Sequence, residues 1–302
     1  MLTYLHLDVF TDQLFAGNQL AVYLDPPHDL SDVLMQAIAR EMAFSETTFV
    51  FPPDVPGTDF RVRIFTPASE LPMAGHPTIG TAFALAHAGR IQAGLASTVF
   101  AEGVGPIPLD LDWRDGALHF AWMTQPAPVF GASLDRLDTL ASAIGLEPVD
   151  LRPRGWPVQE VSCGGPFVMI PVASRAAVDR AAPDARTLAR AFAEQGRPTR
   201  AVYLFTLDRG ADEADVYTRM FAPDIGITED PATGSASGPL GAYLLHHRLP
   251  IATDRPIRNL QGVKLGRPSW MFIEAVLKGP TITGMRVGGG AVVVGTGTVN
   301  LR

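Results

Sequence analysis

Two stretches of this chain, half its length apart, repeat one order of residues. Phe65-Thr66-Pro67 leads through a loop to Ala74-Gly75-His76 and a helical run ending Ala82-Phe83-Ala84-Leu85, while Phe221-Ala222-Pro223 leads to Thr233-Gly234-Ser235 and a run ending Ala242-Tyr243-Leu244-Leu245. We read this as a degenerate internal duplication, which restricts the chain to folds built from two similar halves. A chain of 302 residues is also near the size at which one hydrophobic core gives way to two. The expected division lies near Pro126-Ala127: residues 1–125 form a first domain, completed by a terminal strand within 288–302, and residues 126–287 form a second.

Local patterns give each half the same mixture. Tyr4 to Phe10 and Leu20 to Leu24 read as a hairpin-like pair of strands, and Ser31 as the N-cap of a helix reaching Met42. Thr47 to Phe51 and Phe60 to Phe65 read as antiparallel strands, Gly80 to Ala88 as a helix, and Val99 to Phe120 as strands divided by glycine turns. The second half follows with a helix at Leu134 to Ile144, strands at Val158 to Val161 and Phe167 to Pro171, and helical stretches within Ala176 to Gln195. Strands at Ala201 to Leu207 and Asp215 to Phe221 complete it. The class is therefore α+β. With 29 glycines and 26 prolines, a helical bundle is not expected.

Thirty-one acidic against 24 basic residues, with no basic block, leave no electrostatic footprint for nucleic acid or anionic lipid, so neither is expected as a partner. No apolar run approaches the length of a membrane span, and the first residues carry no basic leader, so a cytoplasmic protein is expected. The one cysteine, Cys163, permits neither a disulfide nor a thiolate metal site, and reads as a small buried residue. Paired-histidine helices, acidic calcium loops and phosphate-cradling loops are all missing, so no metal or cofactor is expected.

Chemistry must then run on oxygen and nitrogen groups. Gly75 and Gly234 each feed into a helix start, where unpaired N–H groups and the positive dipole end favour an anion. Spacing alone also allows both to be turn glycines ahead of packed helices. His76 at the first helix start suits hydrogen bonding or proton shuttling, and equally a capped surface histidine. Glu229-Asp230-Pro231-Ala232-Thr233-Gly234-Ser235 is dense enough for a site, or for capping alone, and Ser45-Glu46-Thr47 could be an ordinary connection.

Taken in order, Asp8-Val9-Phe10-Thr11 with Gly17-Asn18, Ser45-Glu46-Thr47, Ala74-Gly75-His76-Pro77, Glu229 through Ala236, and Gln261-Gly262 with Gly266-Arg267-Pro268-Ser269 resemble the phenazine-biosynthesis PhzF-like family across almost the whole chain. That family belongs with the diaminopimelate-epimerase-like folds. The resemblance implies two similar domains, each a curled, mostly antiparallel sheet around a central helix, with the site between them. Epimerases of that superfamily place two cysteines just before the helix-starting glycines. Here those places hold Ala74 and Thr233, so two-thiol stereoinversion is unavailable.

The resemblance implies instead a cofactor-independent isomerase that moves a proton within a small cyclic or unsaturated carboxylate. The family's founding activity isomerises trans-2,3-dihydro-3-hydroxyanthranilate. It implies Glu46, His76 and Asp230 as catalytic residues, Glu46 being the general acid and base, and Asn18, Gly75, Gly234 and Ser235 as substrate contacts. A base of this kind works best with its pKa raised by burial, which Phe44, Phe49 and Val50 can supply. The family also suggests a homodimer. The rival reading is a PhzF-like binding or interaction protein without turnover.

Overall fold

The computed structural model describes residues 1–151 and 153–301. The first half runs β1 (Leu2–Val9), β2 (Asn18–Tyr23), α1 (Asp32–Met42), β3 (Glu46–Phe51), β4 (Phe60–Phe65), β5 (Glu70–Leu71), α2 (Gly75–His87), β6 (Ser97–Glu102), β7 (Gly105–Arg114) and β8 (Ala117–Gln125). There follow β9 (Val129–Leu134), α3 (Leu137–Ala143), β10 (Val158–Ser162), β11 (Pro166–Pro171), α4 (Arg175–Arg180), α5 (Ala185–Ala193), β12 (Val202–Thr206) and β13 (Val216–Ala222). The chain closes with β14 (Ile227–Asp230), α6 (Gly234–His246), β15 (Ile257–Gln261), β16 (Ser269–Lys278), β17 (Thr281–Gly289) and β18 (Ala291–Val299). The class is α+β.

The duplication seen in the sequence reappears in the strand ladders. Parallel strands β4 and β6, paired at Phe60 and Phe100, are joined through α2; parallel strands β13 and β15, paired at Val216 and Asn259, are joined through α6. The short β5 and β14 pair antiparallel with β4 and β13 at equivalent places. Both helices are buried on nearly every side, as helices enclosed by sheet must be, and so present few polar residues. The sheet is continuous between the halves through antiparallel pairing of β8 with β17, where Gln125 faces Met285. Each half is also edged by a strand that follows the other in the chain: β18 pairs with β1 from Leu2 and Val299 onward, and β9 pairs with β10. Among the described residues no helix is long and apolar enough to cross a membrane.

Local chemistry explains most boundaries. Ser31 caps α1, its side chain accepting from Leu34 N at 3.3 Å. The expected helix from Gly80 starts five residues earlier, at Gly75, because Pro77 falls in the first turn, where a backbone N–H would have no helical partner. The expected helix at Leu134 to Ile144 shrinks to Leu137–Ala143, since Val129–Leu134 is taken into the sheet as β9 by its ladder with β10.

Candidate active site

The first turns of α2 and α6 meet head to head. A Cβ placed on Gly75 would lie 2.5 Å from the Cα and carbonyl carbon of Gly234 and from the nitrogen of Ser235, and one on Gly234 would lie 3.0 Å from the Cα of Gly75. Only glycine permits this approach. The residues before them, Ala74 and Thr233, make no side-chain cap, so the first-turn N–H groups of two helices, with the positive ends of both dipoles, are left to one small space.

Glu46, the first residue of β3, stands at this junction opposite Leu20 of β2. Its Oε2 lies 3.3 Å from Nε2 of His76 without an aligned hydrogen bond, and neither atom has another partner. Asp230 ends β14 and is fully engaged: Oδ1 accepts from Asn18 Nδ2 at 2.7 Å and Ser45 Oγ at 3.1 Å, and Oδ2 accepts from Thr233 Oγ1 at 2.6 Å. Gln261 braces the same turn, donating from Nε2 to the Asp230 carbonyl at 2.7 Å while its Oε1 accepts from Thr233 N at 3.2 Å.

Burial sets the charges. Glu46 is pushed well above the usual carboxylate range, first by desolvation and then by the nearby Asp230 charge. Asp230 is pushed up to about 6 by desolvation, against which its hydrogen bonds from Thr233, Asn18 and Ser45 pull down. Desolvation lowers His76 to about 3, so the imidazole is neutral at ordinary pH. Glu46 thus holds its proton to higher pH than an ordinary carboxyl does, beside a neutral imidazole. Desolvation and the nearby Asp230 charge both disfavour its carboxylate, and so raise its basicity towards a carbon acid.

Glu46, Gly75, His76, Asp230, Gly234 and Ser235 all border one cavity of about 260 Å³. Asn18 does not; it is buried behind, its amide reaching Asp230, the Ala232 carbonyl at 3.0 Å and Nδ1 of His76 at 3.1 Å, where it holds the two polar groups to each other. The rest of the wall comes from segments the sequence did not single out. Met73, Phe167, Met220 and Ile227 give it an apolar lining, and Arg200, held to Glu160 at 3.3 Å, is its one permanent cation among the described residues. These come from four separated segments, and no local pattern marks them.

Other quoted residues tie the halves together. Arg267 reaches across from the second half to bond the carbonyls of Gly17 at 2.7 Å and Ala16 at 2.6 Å and to pair with buried Asp8. Gly17 has φ 65°, and a Cβ there would strike Thr11, so this turn requires glycine. Cys163 is fully buried, and its thiol is pushed up to about 12 by desolvation, so it is inert. Among the described residues no group of three His, Cys, Asp or Glu is placed to hold a metal ion.

The chain can now be set beside known proteins. A family model described as phenazine biosynthesis-like protein matches residues 7–297. Over 309 aligned residues, covering 100% of each chain, the sequence is 37% identical to a trans-2,3-dihydro-3-hydroxyanthranilate isomerase of Pseudomonas fluorescens. It is 37% identical over 298 residues, 97% of each chain, to an uncharacterised isomerase of Mesorhizobium japonicum. The crystal structure of a Bacillus anthracis phenazine biosynthesis protein of the PhzF family matches with a TM-score of 0.87 at 27% identity over 99% of each chain.

Proposed function

This chain belongs to the family of phenazine biosynthesis-like proteins, and on that premise we propose that it is an isomerase that moves a proton within a small cyclic or unsaturated carboxylate of the trans-2,3-dihydro-3-hydroxyanthranilate kind. The observation that carries the reading is the pairing of an unpartnered, buried Glu46 carboxyl with two uncapped helix starts on one cavity. The substrate carboxylate lies at the starts of α2 and α6 and collects both dipole ends, since each acts only over about one turn. Ionised Glu46 takes a proton from a substrate carbon. The electron pair of the broken C–H bond moves into the adjoining unsaturated system, and the negative charge that builds towards the carboxylate is met by preorganised N–H groups. Glu46 then returns the proton to a different carbon of the same molecule, so atoms and electrons balance without an external oxidant or reductant.

In this reading His76 keeps Nε2 beside the Glu46 carboxyl, within reach of the substrate, and Asp230 organises Ser45, Asn18 and Thr233 around the pair. The apolar wall of Met73, Phe167 and Met220 suits an uncharged ring or alkene and keeps water from the carbanion-like state. Residues 1–125 with the terminal strand, and 126–287, act as the two domains that bring one helix each to the cavity.

The test is to incubate the protein in deuterium oxide with trans-2,3-dihydro-3-hydroxyanthranilate, then with a panel of cyclic amino and hydroxy acids, without added metal, nicotinamide or pyridoxal phosphate. Relocation of a carbon-bound proton, or its exchange for deuterium, is expected. Binding without either, across the panel, would return the rival reading of a non-catalytic binding protein.

A further inference from the structure

Among the described residues outside the cavity, one buried acid has neither a role in the mechanism above nor an arginine partner. Glu102 ends β6 on the same face as the core residue Phe100, beneath the first turn of α2. Its Oε1 lies 2.6 Å from Thr78 Oγ1, and that hydroxyl is also 2.5 Å from the carbonyl of Ala74, the N-cap residue of α2. A threonine hydroxyl has one hydrogen and two acceptors to satisfy here. If it donates to Ala74, the second hydrogen bond exists only when Glu102 brings a proton of its own. The other carboxyl oxygen, Oε2, is buried with no partner at all, a place where a carbonyl is tolerable and a negative charge is not.

The second half of the molecule repeats the device with a permanent donor. By the matched ladders, Phe60 with Phe100 and Val216 with Asn259, Glu102 corresponds to Gln261, and Thr78 corresponds to Ser237. Ser237 Oγ donates to the Thr233 carbonyl at 3.1 Å and receives from the amide of Asn259 at 3.2 Å. Gln261 itself braces Thr233 by both ends of its amide. In both halves the hydroxyl four residues past the N-cap holds the N-cap carbonyl; in the second half it is also held by the Asn259 amide, which stands where the first half has Phe100, and in the first half its second neighbour is the Glu102 carboxyl. A carboxyl there can donate to Thr78 only while it is protonated, whereas the Asn259 amide always carries its hydrogens.

We infer that Glu102 is a positioning residue that works as a neutral carboxylic acid, donating through Thr78 to the Ala74 carbonyl and so fixing the turn that presents Gly75 and His76 to the cavity. Its ionisation releases that turn. The groups that could interfere are occupied elsewhere. On β4, Arg61 pairs with Asp54 and Arg63 with Asp32 and Glu70 of β5. On the far side of the turn His76 faces Glu46, and no ion pair or hydrogen bond joins Glu102 to any of these. In the turn after β6, Gly105 is the ladder partner of Glu102, and Val104 N bonds the Pro72 carbonyl of the loop before α2 at 3.0 Å. Desolvation pushes Glu102 up to about 8, the Thr78 hydrogen bond pulling the other way, so the release falls on the alkaline side of neutrality.

The inference rests on the cavity being the working site, but its test does not need turnover. Infrared difference spectra between the wild type and Glu102→Gln, which supplies a permanent amide donor, should show a protonated-carboxyl band at neutral pH that disappears near pH 8. Amide exchange at Gly75, His76 and Ile79, corrected for intrinsic rates, should speed up by ~10-fold between pH 7 and 9.5 in the wild type, and remain nearly flat in Glu102→Gln. Thr78→Val keeps the shape, removes the relay, and should loosen these amides at every pH; it serves also if the first variant does not fold. An ionised Glu102 at pH 7, or an equal alkaline loss in Glu102→Gln, overturns the inference while leaving the proton-transfer reading standing. If an activity is measured, kcat/KM should lose its alkaline limb in Glu102→Gln with its neutral value kept.

Discussion

Replacing Gly75 by alanine tests the junction of the two helices with one carbon atom. The added Cβ would sit 2.5 Å from three backbone atoms of Gly234 and Ser235, against the ~3.5 Å at which carbon contacts become favourable, so the helix starts must part by ~1 Å. Backbone atoms cannot rotate away as a side chain would. Overpacking of this kind costs about 1–3 kcal/mol, and the backbone partners argue for the upper end. The functional loss should be greater than the loss of stability suggests, because a 1 Å displacement of positioned groups costs ~10²-fold in rate. Urea unfolding and kcat/KM, measured well below the melting temperature, separate the two effects. Gly295→Ala is the control, since a Cβ there meets nothing within 4 Å. If Gly75→Ala kept full turnover and wild-type stability, the idea that two abutting helix starts grip one ligand would fail.

Two further outcomes follow from the site's charges and its cross-links. Burial raises Glu46 and Asp230, so their contribution to stability is full at low pH and is lost as pH rises through the folded values, about 6 for Asp230. Stability measured by urea unfolding should therefore favour Glu46→Gln over the wild type by a margin that grows as pH rises above about 4; a constant margin would show that Glu46 is not raised. Arg267→Ala should cost about 3 kcal/mol, the lower end for a broken buried pair because Arg267 is one-fifth exposed, and adding Asp8→Asn should recover part of it. No recovery would mean that the backbone contacts to Ala16 and Gly17, rather than the charge pair, carry the cost.

What could be read from the sequence was what depends on near neighbours. Ser31 caps α1 through a bond three residues away, and the strands Phe60–Phe65 and Glu46–Phe51 carry their β-branched and aromatic residues openly. The duplicated loop-to-helix segments were legible because each keeps a glycine that the abutting helix starts require. The apolar pattern alone opened α2 only at Gly80, since Pro77 reads as a break although the first turn tolerates it, whereas the glycine motif already set the helix start at Gly75 and His76. β9 was missed because Val129–Leu134 has one fully buried residue and shows no alternation, and only its ladder with β10 makes it a strand. Arg200 and Phe167 reach the cavity through long-range strand pairing, which leaves no local trace. Glu102 lay within a region read simply as strands, and its likeness to Gln261 emerges only from the ladder registers.

The central claim is that Glu46 carries the proton, and the most direct measurement is turnover by Glu46→Gln on a substrate the wild type converts. The variant keeps the size of the side chain and its hydrogen bonding but cannot accept a proton from carbon. With the helix starts intact, ligand binding measured by calorimetry should survive, while kcat falls by ~10²- to 10⁴-fold, the range of a lost general base. Near-normal kcat with binding retained would contradict the account, because the proton would then travel through another group.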